Sequence, residues 1–131
     1  MVARRRWLVA IVAAHVAVTV FHGLAHTQAR VFLSPAATLF VLLVIVAAPL
    51  LGVALMWVAP HIGGSVTCAA LSASFAFGVV NHFILATPDN VVHVDVRWRM
   101  LFGTTAVLLA ATESLGAWLA LSFARTGRTV R

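Results

Sequence analysis

The sequence predicts an all-α integral membrane protein built as a four-helix antiparallel up-down bundle, and three observations predict it. Apolar residues make up 63% of the 131 positions and charged residues only 9%, whereas soluble proteins average about half and about a quarter. Four apolar runs reach the length of about 20 residues that a helix needs to cross a bilayer core of about 30 Å. The connections between them are short, which implies antiparallel neighbours. We therefore treat residues 1–131 as a single four-span transmembrane domain.

The four predicted spans are separated by turn signals. A Ser-Pro pair stands at 34–35, a Pro-His-Ile-Gly-Gly segment at 60–64 and a Thr-Pro-Asp-Asn segment at 87–90, all typical of chain reversals. The predicted spans are residues 7–27, 36–58, 65–86 and 98–123, with an outer loop at 87–97.

Two features predict how the middle spans pack. The second span carries Thr38 as its one clearly polar residue, which favours a lipid-facing helix, and Pro49 predicts a kink in it. In the third span Ser74, Gly78 and His82 recur at four-residue intervals. This spacing of small residues predicts a seam of close helix packing.

The outer loop allows two predictions. Thr87 before Pro88 is typical of a helix start, and a short interfacial helix would place Asp89 and His93 on one face. Residues 91–97 instead alternate valine with polar residues at the period of a strand. We favour the short helix, because an unpaired strand edge at a membrane surface leaves backbone groups without partners.

The arginines predict the orientation. All nine basic residues are arginine, and six of them flank the first and last spans: Arg4, Arg5, Arg6, Arg125, Arg128 and Arg131. The positive-inside rule then places both termini in the cytoplasm of a multi-pass protein of the cell (inner) membrane, with the lipid bilayer as its first partner. Nucleic-acid binding is not expected, because these charges flank spans and do not form a patch on a folded surface. A signal peptide cleaved near residues 27–29 is the open alternative.

Several classes of chemistry are excluded or unsupported. Cys68 is the only cysteine, so an intrachain disulfide and a cysteine metal site are excluded. The sequence has neither a glycine-rich phosphate loop nor a nucleophile elbow. It therefore predicts no catalytic residue, and an enzymatic role is left open but not favoured.

Histidines inside the spans carry the functional prediction. His15, His22 and His26 lie within about 40° of one another on one face of a helix. At a rise of about 1.5 Å per residue, His26 lies within one turn of the outer end, His22 about 9 Å below it and His15 about 20 Å below it. By the same count His82 lies about 6 Å deep and Glu113 about 22 Å deep. Ionisable groups at such positions usually face a bundle interior, where they pair, bind ions or relay protons.

These depths predict an outer metal site. Imidazole and carboxylate groups suit zinc, copper, iron or nickel ions. Haem b is the alternative cofactor, with His22 and His82 as axial ligands. The predicted ligands are His22, His26 and His82, with Asp89 or His93 completing the set and Asn81 and Asp95 beside them.

A second pair lies deeper. His15 and Glu113 match in depth and predict a proton or ion path. Such a path would suit an oligomeric proton- or cation-linked transporter. Because one chain has only four spans, a homodimer is expected. A third hypothesis is a structural or assembly subunit of a larger membrane complex, in which the histidines supply interhelical hydrogen bonds of about 0.6–2 kcal/mol.

Overall fold

The computed structural model describes residues 2–126, and four long helices account for most of them. Helix α1 spans Val2–Ala29, α2 spans Pro35–Leu55, α3 spans Pro60–Ile84 and α4 spans Val96–Thr126. Each is long and apolar enough to cross a membrane, and the described residues contain no strand. The all-helical, four-helix prediction is confirmed, and the fold is consistent with a multi-pass membrane protein. Arg128 and Arg131, which support the predicted orientation, lie outside the described residues.

Prolines set the beginnings of α2 and α3. Ser34 caps α2, since its Oγ accepts a hydrogen bond from the Ala37 amide at 3.2 Å, and Pro35 takes the first helical position. Pro60 likewise begins α3, five residues before the predicted start of that span. A proline at the first helical position loses no hydrogen bond, because that amide has no partner within the helix. Part of the predicted turn at residues 60–64 is therefore helix.

The four helices pack against one another. Helix α4 packs against α1 and α3, and α3 also packs against α2. Helix α1 packs against α2 through the Ala48–Leu55 segment. We call the end that carries Arg4 the arginine end and the opposite end, which carries His26, the histidine end. A buried apolar cluster closes the bundle toward the arginine end, formed by Leu8, Val12, Met56, Leu71, Ala120 and Phe123.

Two glycines of α3 allow its close approach to α2 and α4. A Cβ atom at Gly63 would lie 2.6 Å from the backbone nitrogen of Met56, and one at Gly64 would lie 2.7 Å from that of Ala124. Both separations are too short for a side chain. The closest helix packing therefore lies near the arginine end.

Helix α2 changes its geometry ahead of Pro49. Residues Val41–Ala47 form a π-helical stretch, a form that widens the turn. Pro49 has no amide hydrogen to offer the carbonyl of Ile45, four residues earlier. That carbonyl instead accepts a hydrogen bond from Nε2 of His15 on α1, at 3.0 Å. Ile45 and Pro49 are buried, whereas most residues of α2 are exposed or half-buried. That its exposed face meets lipid stays a prediction.

The loop before α4 is a series of turns. Its residues 87–95 form neither the predicted short helix nor the alternative strand. The buried Asn90 side chain donates to the Leu85 carbonyl at 2.8 Å and accepts from the Val92 amide at 3.1 Å. The Val91 amide donates to the carbonyl of His82. The short-helix prediction is wrong because these bonds satisfy the backbone in place of helical ones.

Candidate metal centre

Three histidines meet at the histidine end of the bundle. His22 and His26 lie one turn apart on α1, and His82 lies in the π-helical stretch Val80–Ile84 that ends α3. One ligand nitrogen from each ring lies within 4.8 Å of those from the other two. The Nε2 atoms of His22 and His82 are 3.1 Å apart. We call these three side chains the histidine triad.

Backbone carbonyls orient two of the rings. Nδ1 of His26 donates to the Val31 carbonyl at 3.0 Å, and Nδ1 of His82 donates to the Asp89 carbonyl at 3.1 Å. A carbonyl oxygen only accepts, so the hydrogen of each neutral ring resides on Nδ1. Nε2 then carries the lone pair with which an imidazole binds a metal.

A threonine orients the third ring. Nδ1 of His22 lies 2.8 Å from Oγ1 of Thr105, and the hydroxyl hydrogen of Thr105 is directed at the carbonyl of Leu101. Thr105 therefore accepts from Nδ1, which leaves Nε2 of His22 as a lone-pair donor. All three rings thus have the outer hydrogen bond that metal-binding histidines usually make.

Asp89 adds a carboxylate beside the triad. Its Oδ1 lies 3.4 Å from Nε2 of His26 and 3.4 Å from Nδ1 of His82. Burial would raise the pKa of Asp89, but the neighbouring His82, His26 and His22 side chains lower that pKa below its ordinary value. Oδ1 is buried without a hydrogen-bond partner among the described residues. An ionised oxygen in this position fits a neighbouring cation.

The spacing of His22 and His82 suits a bare ion, and the ligand nitrogen of His26 lies within 4.8 Å of both. A tetrahedral ion with ligands at about 2.0–2.1 Å holds pairs of nitrogen atoms about 3.3 Å apart, close to the 3.1 Å between His22 and His82. Axial ligands of haem stand on opposite faces of the macrocycle, at twice the metal–nitrogen distance. The His26 ring packs edge to face against His22 and the Phe102 ring packs against it at a tilt of 53°, each with its centroid 4.8 Å from the His22 ring. Haem between His22 and His82 does not fit this arrangement.

The other predicted outer residues bond within their own segments. Nδ1 of the exposed His93 donates to the Thr87 carbonyl at 2.8 Å. The exposed Asp95 accepts from the backbone at the start of α4, and the Asn81 amide donates to the Phe77 carbonyl at 2.8 Å. The structure does not bring these three side chains into the triad.

A cavity of about 260 Å³ adjoins the triad. Its walls come from all four helices and from the segment after α1, and they are mostly apolar between two polar ends. Gly78 lines it, and a Cβ there would meet only His82, at 3.9 Å. The predicted close packing is therefore not found at Gly78, whereas the buried Ser74 contacts Glu113 on α4. The polar residues of its two ends are His22, His26, His82 and Asp89 at one, and Ser74 and Glu113 at the other.

The side chains of the predicted inner pair, His15 on α1 and Glu113 on α4, face each other. Nδ1 of the fully buried His15 lies 3.9 Å from Oε1 of Glu113. The same Oε1 accepts a hydrogen bond from Oγ of Ser74 on α3. The structure thus adds a third polar group to the predicted pair.

Sequence reasoning missed Thr105 and Ser74. Counted from Trp98 at about 1.5 Å per residue, Thr105 lies about 10 Å deep, level with His22. Counted from Ala86, Ser74 lies about 18 Å deep, near the level of Glu113. Matching the depths of hydroxyl groups to those of ionisable groups would have found both.

Fold and site together define a class: a small bundle of four membrane-type helices with a histidine triad, two of its rings buried and one half-buried, and an adjoining carboxylate. Comparisons with protein-family models, with curated proteins and with solved structures gave no match. Function is therefore inferred from the geometry of the site.

Proposed function

We propose that this protein binds a divalent transition-metal ion through the Nε2 atoms of His22, His26 and His82. One observation carries the proposal: the ligand nitrogens of two buried rings and one half-buried ring lie within 4.8 Å of one another, while each Nδ1 is engaged by an outer acceptor. Without an ion, one of the two Nε2 atoms must carry a proton across the 3.1 Å between His22 and His82, and a metal ion can take the place of that proton. Imidazole ligands suit zinc, copper, iron and nickel.

Asp89 supplies negative charge and a fourth donor. Its Oδ1 lies 3.4 Å from Nε2 of His26, which is close to the separation of about 3.3 Å between neighbouring ligands of a tetrahedral ion. A small rotation of the carboxylate brings it onto the ion. Four protein ligands leave no open position for a substrate, which favours binding or transfer of the ion over catalysis.

Zinc binding by the purified protein tests the proposal. Full-length protein in detergent, dialysed against Zn²⁺, is expected to hold at least one ion per chain. His22→Ala removes a ligand and is expected to weaken the tightest binding by more than about 100-fold, since even outer partners of ligands are worth 10–100-fold. His61→Ala is the matched control, because His61 is exposed at the arginine end of α3; it is expected to bind as the wild type does.

Two results would contradict the proposal. One is a wild-type protein that binds no ion, or binds it no more tightly than His22→Ala does. In that case a loss of stability in His22→Ala without any loss of ligand would support the structural-subunit hypothesis. The other is a haem absorption band in the protein as purified.

A further inference from the structure

We propose that Glu113, Ser74 and His15 form a second cation site at the inner end of the cavity, so that the cavity joins two ion-binding sites. The inference rests on the proposed function for the class of ion, a divalent transition metal. It goes further in assigning a role to a buried group that the triad does not use.

The ligand atoms come from three helices. Nε2 of His15 donates to the Ile45 carbonyl at 3.0 Å, so the lone pair of the neutral ring resides on Nδ1. That nitrogen is buried without a hydrogen-bond partner among the described residues, and it lies 3.9 Å from Oε1 of Glu113. Two atoms that each bind the same ion at about 2.0–2.1 Å can lie up to about 4.1 Å apart. Ser74 Oγ, already bonded to Oε1, supplies a third donor.

An ionised Glu113 would require a partner. Of the three acidic residues in the sequence, Glu113 alone lies within a helix. Glu113 is only 2% exposed. Within residues 2–126, His15 is the basic group within ion-pair distance of it. Because the Nε2 hydrogen of His15 is bonded to Ile45, the neutral ring offers Glu113 a lone pair and no charge. A carboxylate at this depth is costly unless it is paired, and a bound cation supplies the missing charge.

The cavity provides the access. Glu113 and Ser74 line the same cavity as the triad, and the hydroxyls of Thr19 and Thr38 line it as well. His15 and His22 are seven residues apart on α1, so the two sites lie about 10 Å apart along the bundle. Beyond His15 the apolar cluster around Leu8 and Leu71 fills the interior. An ion therefore reaches the inner site from the histidine end.

The distance between the sites predicts how they fill. A divalent ion with one carboxylate leaves each site with a net charge of about +1. At about 10 Å and an effective dielectric constant of about 20, the repulsion weakens binding of the second ion roughly 15-fold. The two sites therefore fill in two separable steps.

A Zn²⁺ titration of the full-length protein in detergent, followed by metal analysis, tests this inference. The wild type is expected to bind two ions, the second at least about tenfold more weakly. Glu113→Gln, which keeps the shape of the side chain, is expected to keep only one of them. Ser74→Ala is expected to weaken one binding step, whereas its matched control Ser114→Ala, an exposed serine beside Glu113, is expected to keep both unchanged. If Glu113→Gln does not fold, the comparison of Ser74→Ala with Ser114→Ala tests the inner site, and equal binding by these two variants would contradict it.

The outcomes separate the two proposals. Loss of one ion in His22→Ala and of the other in Glu113→Gln supports both. A wild type that binds one ion, lost in His22→Ala and retained in Glu113→Gln, overturns the inner site and leaves the triad. Binding that depends on Glu113 but not on His22 overturns the triad as the ion site.

Discussion

At the scale of single residues, one device recurs in the polar interior. A backbone carbonyl holds the hydrogen of one ring nitrogen and leaves the other nitrogen free to bind an ion. Val31 does this for His26, Asp89 for His82 and Ile45 for His15. Rings fixed in this way meet an ion in the required tautomer and orientation, as outer partners of metal ligands do elsewhere.

Thr105 accepts the Nδ1 hydrogen of His22 through its side chain, so a substitution can remove this acceptor. Thr105→Val keeps the shape but removes the acceptor for Nδ1 of His22. We expect Zn²⁺ affinity to fall about 10–100-fold while the protein still folds, measured by competition with a chromophoric chelator. Thr104→Val is the control, because Thr104 is exposed on the same helix. Equal affinities for the two variants would show that Thr105 does not orient the ligand.

Asp89 gives the ion-free protein a dependence of stability on pH. The pKa of Asp89 lies below its ordinary value, because the neighbouring histidine side chains, His82 above all, outweigh the effect of burial. Its stabilisation is therefore present above the unfolded-state pKa of about 3.9 and is lost as pH falls through the lower folded-state pKa. We expect Asp89→Asn to lower the free energy of unfolding by roughly 1–3 kcal/mol at pH 7, with the difference vanishing in strong acid. Unfolding curves in detergent, recorded from neutral pH to strong acid, measure this difference. A difference in the free energy of unfolding that is the same at every pH would contradict the prediction.

At the scale of helices, close packing depends on glycines near the arginine end. Gly64→Ala places a Cβ about 2.7 Å from the Ala124 backbone, and overpacking of this kind costs about 1–3 kcal/mol. We expect a lower unfolding temperature in detergent. Gly23→Ala, which meets nothing within 4 Å, is expected to be neutral or to stabilise α1 by up to about 1 kcal/mol. Equal effects of the two substitutions would argue against close packing at Gly64.

The helices were predictable from the sequence, and their ends were less so. Length and hydropathy are enough to locate four runs, because a bilayer sets the number of residues that a span needs. The Gly-Gly pair at residues 63–64 resembles a turn, but helix packing uses those glycines inside α3. The hydrogen bonds of the Asn90 side chain stabilise turns where the sequence predicts a short helix. Contacts between distant residues decided both cases, and local pattern does not reveal them.

The candidate site was predictable in part for a similar reason. Depth follows from the constant rise of a helix, so His22, His26 and His82 were placed at one level by counting. Hydroxyl groups are harder to assign, because most of them bond to a carbonyl of their own helix, as Thr19 does to His15. Only the packed bundle shows that Ser74 is directed at Glu113.

At the scale of the whole molecule, the two ends differ in kind. The histidine end holds the cavity and the triad, whereas apolar packing closes the arginine end. Three tryptophans at the arginine end, Trp7, Trp57 and Trp118, are each more than half exposed, as in the aromatic belts of membrane interfaces. The Arg5 guanidinium lies 5.4 Å from the centre of the Trp57 ring. Association into a homodimer or a larger complex stays a prediction.

Orientation in the membrane is a prediction of the same scale. The arginines flanking α1 and α4 predict that both ends of the chain lie in the cytoplasm. Fusions of a reporter that is active only in the cytoplasm are therefore expected to be active at either terminus, and a fusion within the 87–95 loop is expected to be inactive. The reverse pattern would place the triad on the cytoplasmic side, so that ions would enter from there.

The central claim, that three imidazoles bind one ion, is tested most directly by X-ray absorption at the zinc edge. The protein is loaded with less than one equivalent of Zn²⁺, so that the tighter site dominates the signal. We expect nitrogen neighbours at about 2.0–2.1 Å with the outer scattering of three imidazole rings, and a loss of that scattering in His22→Ala. A spectrum with oxygen neighbours only, or one unchanged in His22→Ala, would contradict the claim.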